Sequence, residues 1–276
     1  MDTIDQPILF VGGGNMAHAI ISGAIRAKSI QKHAVAVIEP QTNRHELFDN
    51  AFASFDEAVG WLNSFEQPAV LALAVKPQML QEASLPIRTS LNALSQTPLV
   101  LSILAGIKIS QIESALSPVS HIIRVMPNTP AQIGQAMSAI AVSPDTFEEE
   151  IKLATKLFSS IGETINISED LMDAFTAIAG SGPAYLFYLA EGMIDAARQL
   201  GFDKQQSQAI VRQTLVGSSM LLNQSPDLPR ELRLRVTSKN GTTEAATNTL
   251  DESGVMDAIV RAIHAARHRG AELGKI

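Results

Sequence analysis

Three consecutive glycines, beginning with Gly12, stand between two apolar segments near the start of the sequence. Ile8–Val11 is typical of a buried strand, and apolar residues recur at helical spacing after the glycines, as far as Ala24. With Ala17 this forms the G-x-G-x-x-G/A pattern between a strand and a helix. There Gly12 permits a tight turn, Gly14 lets the backbone approach a pyrophosphate, and the helix start offers free N–H groups to phosphates. The pattern predicts dinucleotide binding, with a glycine-rich turn that binds nothing as the alternative.

The residues that would face the ribose of such a cofactor leave its identity open. A second strand is predicted over Val35–Ile38, and Glu39 closes it. A carboxylate at this place favours the free 2′-hydroxyl of NAD and repels the 2′-phosphate of NADP. Arg44 follows shortly afterwards and could instead bind that phosphate. A solvated strand end without any ligand is the third interpretation.

Two further motifs follow predicted strands, at the sheet edge where ligands of open α/β folds bind. Lys76 comes directly after Val70–Val75 and could neutralise a cofactor phosphate, with a plain surface charge as the alternative. Met126–Pro130 contains two prolines, which fix a rigid turn and present the amide of Asn128. Such a turn suits the wall of a site and equally suits a plain connection.

Two glycine-containing motifs lie later in the chain, each at the start of a predicted helix. In Gly180–Tyr185, Pro183 fits an early helical position, and the small residues permit close approach of another backbone or a ligand. Close helix packing is the alternative there. Thr237–Thr243 precedes a helix through Ala245 and offers hydroxyls and free N–H groups to a small carboxylate. An ordinary helix N-cap explains that motif as well.

The composition narrows the possible functions. A net charge of −7 gives no general attraction to nucleic acid or an anionic membrane, and the lack of cysteine excludes disulfides and thiolate chemistry. His264 and His268 share a helix face, but no third ligand accompanies them, so no metal site is predicted. No apolar stretch approaches the roughly 18 residues that span a bilayer, and a secretory signal is lacking. A cytoplasmic protein is therefore expected.

The chain divides into two predicted parts. Short apolar runs alternate with longer mixed segments at first, which indicates βαβ units and a mainly parallel sheet, completed by a helix over Pro144–Ser160 and a strand over Glu163–Ile167. Beyond Ser168 the periods are helical, so an α/β domain over 1–168 and an all-helical domain over 169–276 are expected. The earlier strands are predicted over Ile8–Val11, Val35–Ile38, Val70–Val75, Leu99–Leu104 and Ile122–Val125, and the later helices over Leu186–Leu200, Ile210–Leu222 and Met256–Leu273.

Five motifs together resemble those of the pyrroline-5-carboxylate reductase family in order and spacing. They are Phe10–Ala17, Ala74–Pro77, Arg124–Pro130, Gly180–Tyr185 and Val236–Thr243. The glycine turn is shared by many dehydrogenases, whereas the last two motifs together are specific to this family. The resemblance extends over nearly the whole chain.

This resemblance implies a fold, a reaction and an assembly. The expected fold is a Rossmann-type domain with a mainly parallel sheet, followed by an all-helical dimerisation domain. The expected activity is the last step of proline biosynthesis, the reduction of 1-pyrroline-5-carboxylate to L-proline by NADP(H), with NAD(H) as the alternative cofactor. Members of the family form an intertwined dimer that often assembles into a decamer. No nucleic-acid or membrane partner is expected.

The resemblance also assigns roles to residues. The resemblance places the substrate carboxylate on the loop Ser238–Thr243 and the Thr243 hydroxyl near the ring nitrogen of the substrate. The substrate residues are then Ser238, Asn240, Gly241, Thr242 and Thr243. Together with the two ribose candidates, the cofactor residues are Gly12, Gly14, Asn15, Met16, Glu39, Arg44, Ala74, Val75, Lys76, Pro77 and Asn128.

The substrate loop departs from the family pattern. The family often has Pro-Gly where Lys239 and Asn240 stand, and the histidine common before Pro229 is Leu228 here. Because Gly241–Thr243 is kept, the carboxylate pocket is expected to survive, with Lys239 adding positive charge beside it.

The implied mechanism is catalysis by positioning. A protonated cyclic imine accepts a hydride readily once its C=N carbon lies about 3 to 3.5 Å from the nicotinamide C4. A hydroxyacid dehydrogenase, the rival enzyme, typically needs a lysine acid on the first helix of the helical domain, and no lysine lies between Ser181 and Gln199. A catalytically silent NAD(P)H-binding sensor is the rival from another class, and the intact Gly241–Thr243 loop argues against it.

Overall fold

A computed structural model of the chain describes residues 3–119 and 121–274. These residues form two compact units. One unit contains the described residues up to Ser181 together with those from Arg267 onward, and the other is Gly182–Ala266.

The first unit alternates strands with helices. Its strands are β1 (Ile8–Val11), β2 (Val35–Ile38), β3 (Ala51–Phe52), β4 (Val70–Leu73), β5 (Leu99–Ser102), β6 (Ile122–Met126), β7 (Ala136–Val142) and β8 (Gly162–Asn166). Its helices are α1 (Asn15–Arg26), α2 (Phe55–Leu62), α3 (Leu80–Ser90), α4 (Ile109–Leu116), α5 (Glu148–Ser159) and α6 (Met172–Phe175). A π-helical turn over Thr176–Gly180 follows α6 directly.

The strands form one sheet in the order β3-β2-β1-β4-β5-β6-β7-β8. Neighbouring strands pair in parallel except β6 and β7, which are antiparallel. The strand order reverses between β1 and β4, because β2 and β3 lie on the other side of β1. Ligands of open α/β sheets bind outside the carboxyl ends of the strands at such a reversal. The mainly parallel sheet and the helices after it confirm the predicted fold class.

Side chains from the two faces of the sheet form two cores, because successive residues of a strand point to opposite faces. On one face Phe10 packs in the same cluster as Ile20 of α1 and Phe158 of α5. On the other face Leu9 lies in a cluster with Ile112 of α4. The unit is therefore a three-layer α/β/α arrangement, which leaves the strand ends free to carry the site.

The predicted strands are correct where a turn follows at once and too long where apolar residues continue. β1 and β2 have the predicted bounds, whereas Val70–Val75 and Leu99–Leu104 end two residues early, at Leu73 and Ser102. Val75 packs beside the glycine turn, with its Cγ1 3.0 Å from where a Cβ on Gly12 would lie. The apolar residues beyond these strands thus reflect packing at the sheet edge.

The end of the first unit differs more from the prediction. β7 is not predicted, since its sequence is rich in alanine and follows a turn with two prolines. The helix predicted over Pro144–Ser160 begins only at Glu148, and the strand predicted over Glu163–Ile167 is Gly162–Asn166. β6 extends one residue further than predicted, to Met126.

The second unit is helical. Its helices are α7 (Gly182–Gln199), α8 (Lys204–Gln224), α9 (Pro229–Arg235), α10 (Thr242–Glu252) and α11 (Val255–Leu273), whose residues from Arg267 belong to the first unit. α8 starts six residues before the predicted Ile210, because Asp203 caps it and accepts a hydrogen bond of 2.8 Å from the Gln206 N–H.

Much of this helical unit is apolar at its surface. Phe187 and Tyr188 of α7 are 61% and 79% exposed, and Met220 of α8 is 55% exposed. Among the described helices, none combines the length and the apolar character that a membrane span requires. Large exposed apolar areas of this kind mark surfaces that associate with another protein.

Candidate active site

The glycine turn lies tightly against the end of β4. Gly12 has a φ of +105°, which disfavours any other residue, and a Cβ on it would lie 2.9 Å from the carbonyl carbon and oxygen of Ala74. The Gly12 N–H donates a hydrogen bond of 2.9 Å to the Ile38 carbonyl, and the Ala74 N–H donates one of 2.9 Å to Val11. The turn is thereby fixed at the place where the strand order reverses.

The start of α1 is open to a ligand. Gly14 is the N-cap residue of α1, and a Cβ on it would meet no atom within 4 Å. Within the described part of the chain, no hydrogen bond occupies the N–H groups of Asn15 and Met16. A pyrophosphate binds where free N–H groups at a helix start adjoin open space. Gly14 and the N–H groups of Asn15 and Met16 provide both, and we call this place the phosphate cradle. The residues here therefore fit a dinucleotide.

The end of β2 folds onto this turn through two charged side chains. Glu39 is buried, and its Oε2 lies 3.3 Å from Arg44 Nη1, while Arg44 Nη2 donates a hydrogen bond of 2.6 Å to the Gly13 carbonyl. The other oxygen of Glu39 accepts a hydrogen bond of 3.1 Å from the Gln41 N–H. Both candidates for recognition of the ribose thus lie at one place, joined as an ion pair beside the glycines.

The segment after β4 lies at the same edge of the sheet. Ala74 and Val75 contact the position of Gly12, and Pro77 opens a short 3₁₀ turn that ends at Met79. Lys76 is exposed, and no ion pair engages it within residues 3–119 and 121–274. The lysine is therefore available to an anion at the reversal point.

Asn128 lies further along the edge, after β6. It is buried, its Oδ1 accepts a hydrogen bond of 3.0 Å from the Met137 N–H, and its Nδ2 donates one of 2.9 Å to the Ala179 carbonyl. Gly180 lies nearby, since a Cβ on it would be 3.3 Å from Met126 Cε. The end of β6 and the π-helical turn thus meet at this edge.

In the second unit, the predicted substrate loop forms a tight turn before α10. Asn240 has a φ of +60°, a conformation that asparagine tolerates better than other residues with a side chain. A Cβ on Gly241 would overlap Ser238 Oγ, and the Gly241 N–H donates a hydrogen bond of 3.0 Å to the Ser238 carbonyl. Asn240 thus adopts a left-handed conformation at the position where the resembling family often has glycine.

The first turn of α10 presents free donors. Gly241 is its N-cap residue, and among the described residues no hydrogen bond occupies the N–H groups of Thr242 and Thr243. The Asn240 N–H donates a hydrogen bond of 2.7 Å to Glu244 Oε2, which closes the loop onto the helix. The arrangement can bind a small carboxylate at the positive end of the helix dipole.

The two ends of α9, just before this loop, are joined by side-chain contacts. Asp227 accepts hydrogen bonds from the Ser225 hydroxyl and from Arg235, at 2.8 Å and 2.6 Å. These two contacts, in that order of importance, hold the pKa of the Asp227 carboxyl below its usual range. Both contacts therefore favour the charged form of Asp227.

The structure brings the predicted residues together in two groups. The cofactor residues of the glycine turn and of the ends of β2, β4 and β6 share the carboxyl edge of the sheet, and the substrate residues share the start of α10. His268 pairs with Glu272 at 3.2 Å, and no group of three or more His, Cys, Asp or Glu residues in the described parts could hold a metal ion.

The sequence analysis did not predict an ion pair between a buried arginine of β6 and a half-buried glutamate. Arg124 of β6 is buried and lies 3.2 Å from Glu169 Oε1, which also accepts a hydrogen bond of 2.7 Å from the Ile109 N–H at the start of α4. A charged residue inside an apolar strand was the available signal, because such a residue is buried only with a partner.

Comparisons with known proteins agree with both halves of this arrangement. Residues 169–273 match the model of the pyrroline-5-carboxylate reductase dimerisation domain, and residues 7–106 match the model of coenzyme F420-dependent NADP oxidoreductases. Among solved structures, pyrroline carboxylate reductase from Plasmodium falciparum with NADP bound superposes with a TM-score of 0.86 at 26% identity, covering 99% of this chain and 100% of that one. The enzyme from Coxiella burnetii gives a TM-score of 0.86 at 28% identity, covering 98% and 99%.

Curated relatives are more similar in sequence. Pyrroline-5-carboxylate reductase 1 of Bacillus spizizenii is 38% identical over 272 residues, which cover 97% of this chain and 89% of that protein. The enzyme of Synechocystis is 35% identical over 268 residues, which cover 96% and 97%. Since similarity of this degree spans both units, the chain belongs to the pyrroline-5-carboxylate reductase family.

Proposed function

We propose that this chain reduces 1-pyrroline-5-carboxylate to L-proline with NADPH or NADH as the hydride donor. The observation that carries the proposal is the open cradle at Gly14, in a chain that also keeps the free helix start at Thr242 and Thr243. The first feature suits a dinucleotide and the second suits a small carboxylate. Membership of the reductase family joins the two in one reaction.

The cofactor residues bind and orient the dinucleotide. Gly12, Gly14, Asn15 and Met16 would hold the pyrophosphate. The nicotinamide end would be lined by Ala74, Val75, Lys76, Pro77 and Asn128. When bound, the reduced nicotinamide supplies a hydride to the C=N carbon of the substrate. The protein's contribution at this end is to fix the ring and to exclude alternative orientations.

The substrate residues orient the imine. The loop with Ser238 and Asn240 and the N–H groups of Thr242 and Thr243 would bind the carboxylate, while the Thr243 hydroxyl would contact the ring nitrogen. The nitrogen carries the proton that activates the C=N bond, and it becomes the amine of proline when the hydride arrives on carbon. No nucleophile of the protein is consumed, so catalysis is by placement.

An assay with both cofactors tests the proposal. Adding 1-pyrroline-5-carboxylate to the protein with NADPH or NADH should lower the absorbance of the reduced cofactor, with formation of one proline per cofactor oxidised. Binding of the cofactor without oxidation would favour a silent sensor, and activity on a 2-keto acid instead would favour a hydroxyacid dehydrogenase.

The ion pair at the ribose site should govern the choice of cofactor. Glu39→Gln keeps the side chain's shape but removes its charge, so the ratio of kcat/KM for NADPH over NADH should rise about tenfold, which corresponds to about 1.4 kcal/mol. Arg44→Ala should lower the same ratio, because it removes the guanidinium that would bind the 2′-phosphate of NADPH beside this carboxylate. Steady-state rates with both cofactors measure the ratio.

A matched control is the exposed pair of Lys32 and Asp49, 3.3 Å apart on the same unit. Lys32→Ala should leave the ratio unchanged. If Glu39→Gln changed the rates with NADPH and NADH equally, the carboxylate would have no part in selecting the cofactor.

The helical domain should associate with a second copy. Its family model is one for dimerisation, and we propose that residues 169–276 form the substrate-binding and dimerisation domain of an intertwined dimer that can assemble into a decamer. The exposed apolar side chains of α7 and α8 support such an interface. We also propose that the enzyme works in the cytoplasm, since a chain without cysteine suits a reducing compartment.

Light scattering should give a mass of at least twice one chain. Phe187→Asp should lower that mass, because it places a charge on the exposed apolar surface of α7. Gln199→Asp, at the polar end of the same helix, is the matched control. A monomeric wild-type protein would contradict the proposed assembly.

A further inference from the structure

The side-chain amide of Asn128 joins two backbone segments at the carboxyl edge of β6. Met137 offers it an N–H donor, and Ala179 offers it a carbonyl acceptor. These two partners fix the orientation of the amide, since its oxygen can only face the first and its nitrogen only the second. With the residue only 9% exposed, both ends of the amide serve the protein's own backbone.

Ala179 belongs to a π-helical turn that receives a hydrogen bond from a distant part of the chain. The turn Thr176–Gly180 is closed by a hydrogen bond of 2.9 Å from the Ser181 N–H to the Thr176 carbonyl. Such turns are rare, occur mostly as single turns, and are frequent at functional sites. The Asn128 contact supplies a long-range hydrogen bond to this turn, from a residue 51 positions earlier in the chain.

The turn brings small residues to the edge where ligands bind. A Cβ on Gly180 would lie 3.3 Å from Met126 Cε, and Met126 is the last residue of β6. The ribose candidates lie at the end of β2 and the phosphate cradle at the end of β1, so the rest of an extended dinucleotide must run toward β4, β5 and β6. Gly180 and Ser181 thus lie at the end of the sheet edge that the nicotinamide ring would approach.

We propose that Asn128 is a positioning residue that holds the backbone of Ala179–Ser181 as a fixed wall beside the nicotinamide ring. This inference rests on the proposed reductase function and deepens it. Asn128 then acts through Ala179 and not through a hydrogen bond of its own to the cofactor. Loss of the donor lets the turn shift, which misplaces the ring relative to the imine without removing the phosphate cradle.

Asn128→Asp tests the proposal with an almost isosteric change. The new side chain still accepts from the Met137 N–H, but as a carboxylate it has no proton to donate to the Ala179 carbonyl. At pH 8, kcat/KM for 1-pyrroline-5-carboxylate should fall about tenfold through kcat, because small misplacements of reacting groups are costly. The Kd for NADPH should stay within about twofold of wild type, since the cradle is intact.

The pH profile separates this role from a merely structural one. Protonated aspartic acid can donate to the Ala179 carbonyl, so the activity of Asn128→Asp relative to wild type should recover as the pH falls toward 5.5. Asn128→Ala should show no recovery. The charged and titratable side chains on the neighbouring elements are Arg124 of β6, Glu163 of β8, Glu169, Asp170 and Asp173 after β8, and His18 and Arg26 of α1. They are present in wild type and variants alike, so the ratio isolates position 128.

Gln135→Glu serves as the matched control, because it makes the same chemical change at an exposed position just before β7. Hydrogen exchange of the amides in 176–181 supplies a readout that does not need activity, and exchange there should be faster in Asn128→Asp than in wild type. If wild type lacks reductase activity but the exchange difference is present, the proposed function fails while the contact stands. Unchanged exchange, a relative activity that does not vary with pH, or an NADPH Kd that weakens as much as kcat/KM falls would overturn the positioning role.

Discussion

Thr243→Ala is expected to lower kcat/KM for 1-pyrroline-5-carboxylate by about 100-fold, an effect typical of removing a side chain that handles a proton in the transition state. The hydroxyl of Thr243 lies in the first turn of α10, beside N–H groups that are free to bind the carboxylate. The proposed function places this hydroxyl at the ring nitrogen once the carboxylate is bound. The affinity for NADPH should remain within about twofold of wild type, because the cradle for its phosphates is built by other elements.

Two companion variants make this result specific. Thr243→Ser keeps the hydroxyl and should retain most of the activity. Thr249→Ala is the matched control, since the Thr249 hydroxyl donates to the Ala245 carbonyl of the same helix at 3.0 Å. Steady-state kinetics with varied imine and fluorescence titration of NADPH measure the two quantities. An unchanged kcat/KM in Thr243→Ala would contradict the assigned contact.

The local parts of the fold were predictable from the sequence. The bounds of β1 and β2 follow from short apolar runs that stop at a glycine or a charged residue, and the glycine turn follows from its spacing. β7 escaped prediction because its sequence of small residues lacks a strong preference, and its pairing with β6 and β8 fixes it as a strand.

The partners of the predicted site residues were not predictable. Sequence pattern places Asn128 after a strand, but its contact with Ala179 depends on how a distant turn packs on β6. The same holds for the pair of Arg124 and Glu169. At the ribose site the sequence named both charged residues and left their roles open, and only the folded chain shows them paired beside Gly13. Local pattern encodes which residues reach the sheet edge, whereas packing decides what each one contacts.

Gly14→Ala is expected to weaken NADPH binding about 100-fold, or about 2.7 kcal/mol, and to leave the thermal stability of the free protein nearly unchanged. A Cβ on Gly14 would meet no protein atom within 4 Å, and the residue's φ of −69° suits alanine. The added methyl group therefore displaces no protein atom and fills only the open space in which the proposed function places the pyrophosphate.

Gly12→Ala gives the contrast that makes this test decisive. There the φ of +105° and the 2.9 Å approach to the Ala74 backbone strain the folded protein itself, so Tm should fall by several degrees along with cofactor binding. Thermal unfolding without cofactor, followed by NADPH titration, separates the two effects. Normal NADPH affinity in a stable Gly14→Ala protein would show that the phosphates do not approach this turn, and the cradle would have to be sought elsewhere on the sheet edge. If Gly14→Ala lost stability as Gly12→Ala does, its weakened binding would reflect a damaged turn. The loss of affinity therefore locates the cofactor at Gly14 only if Gly14→Ala and wild type have equal Tm values.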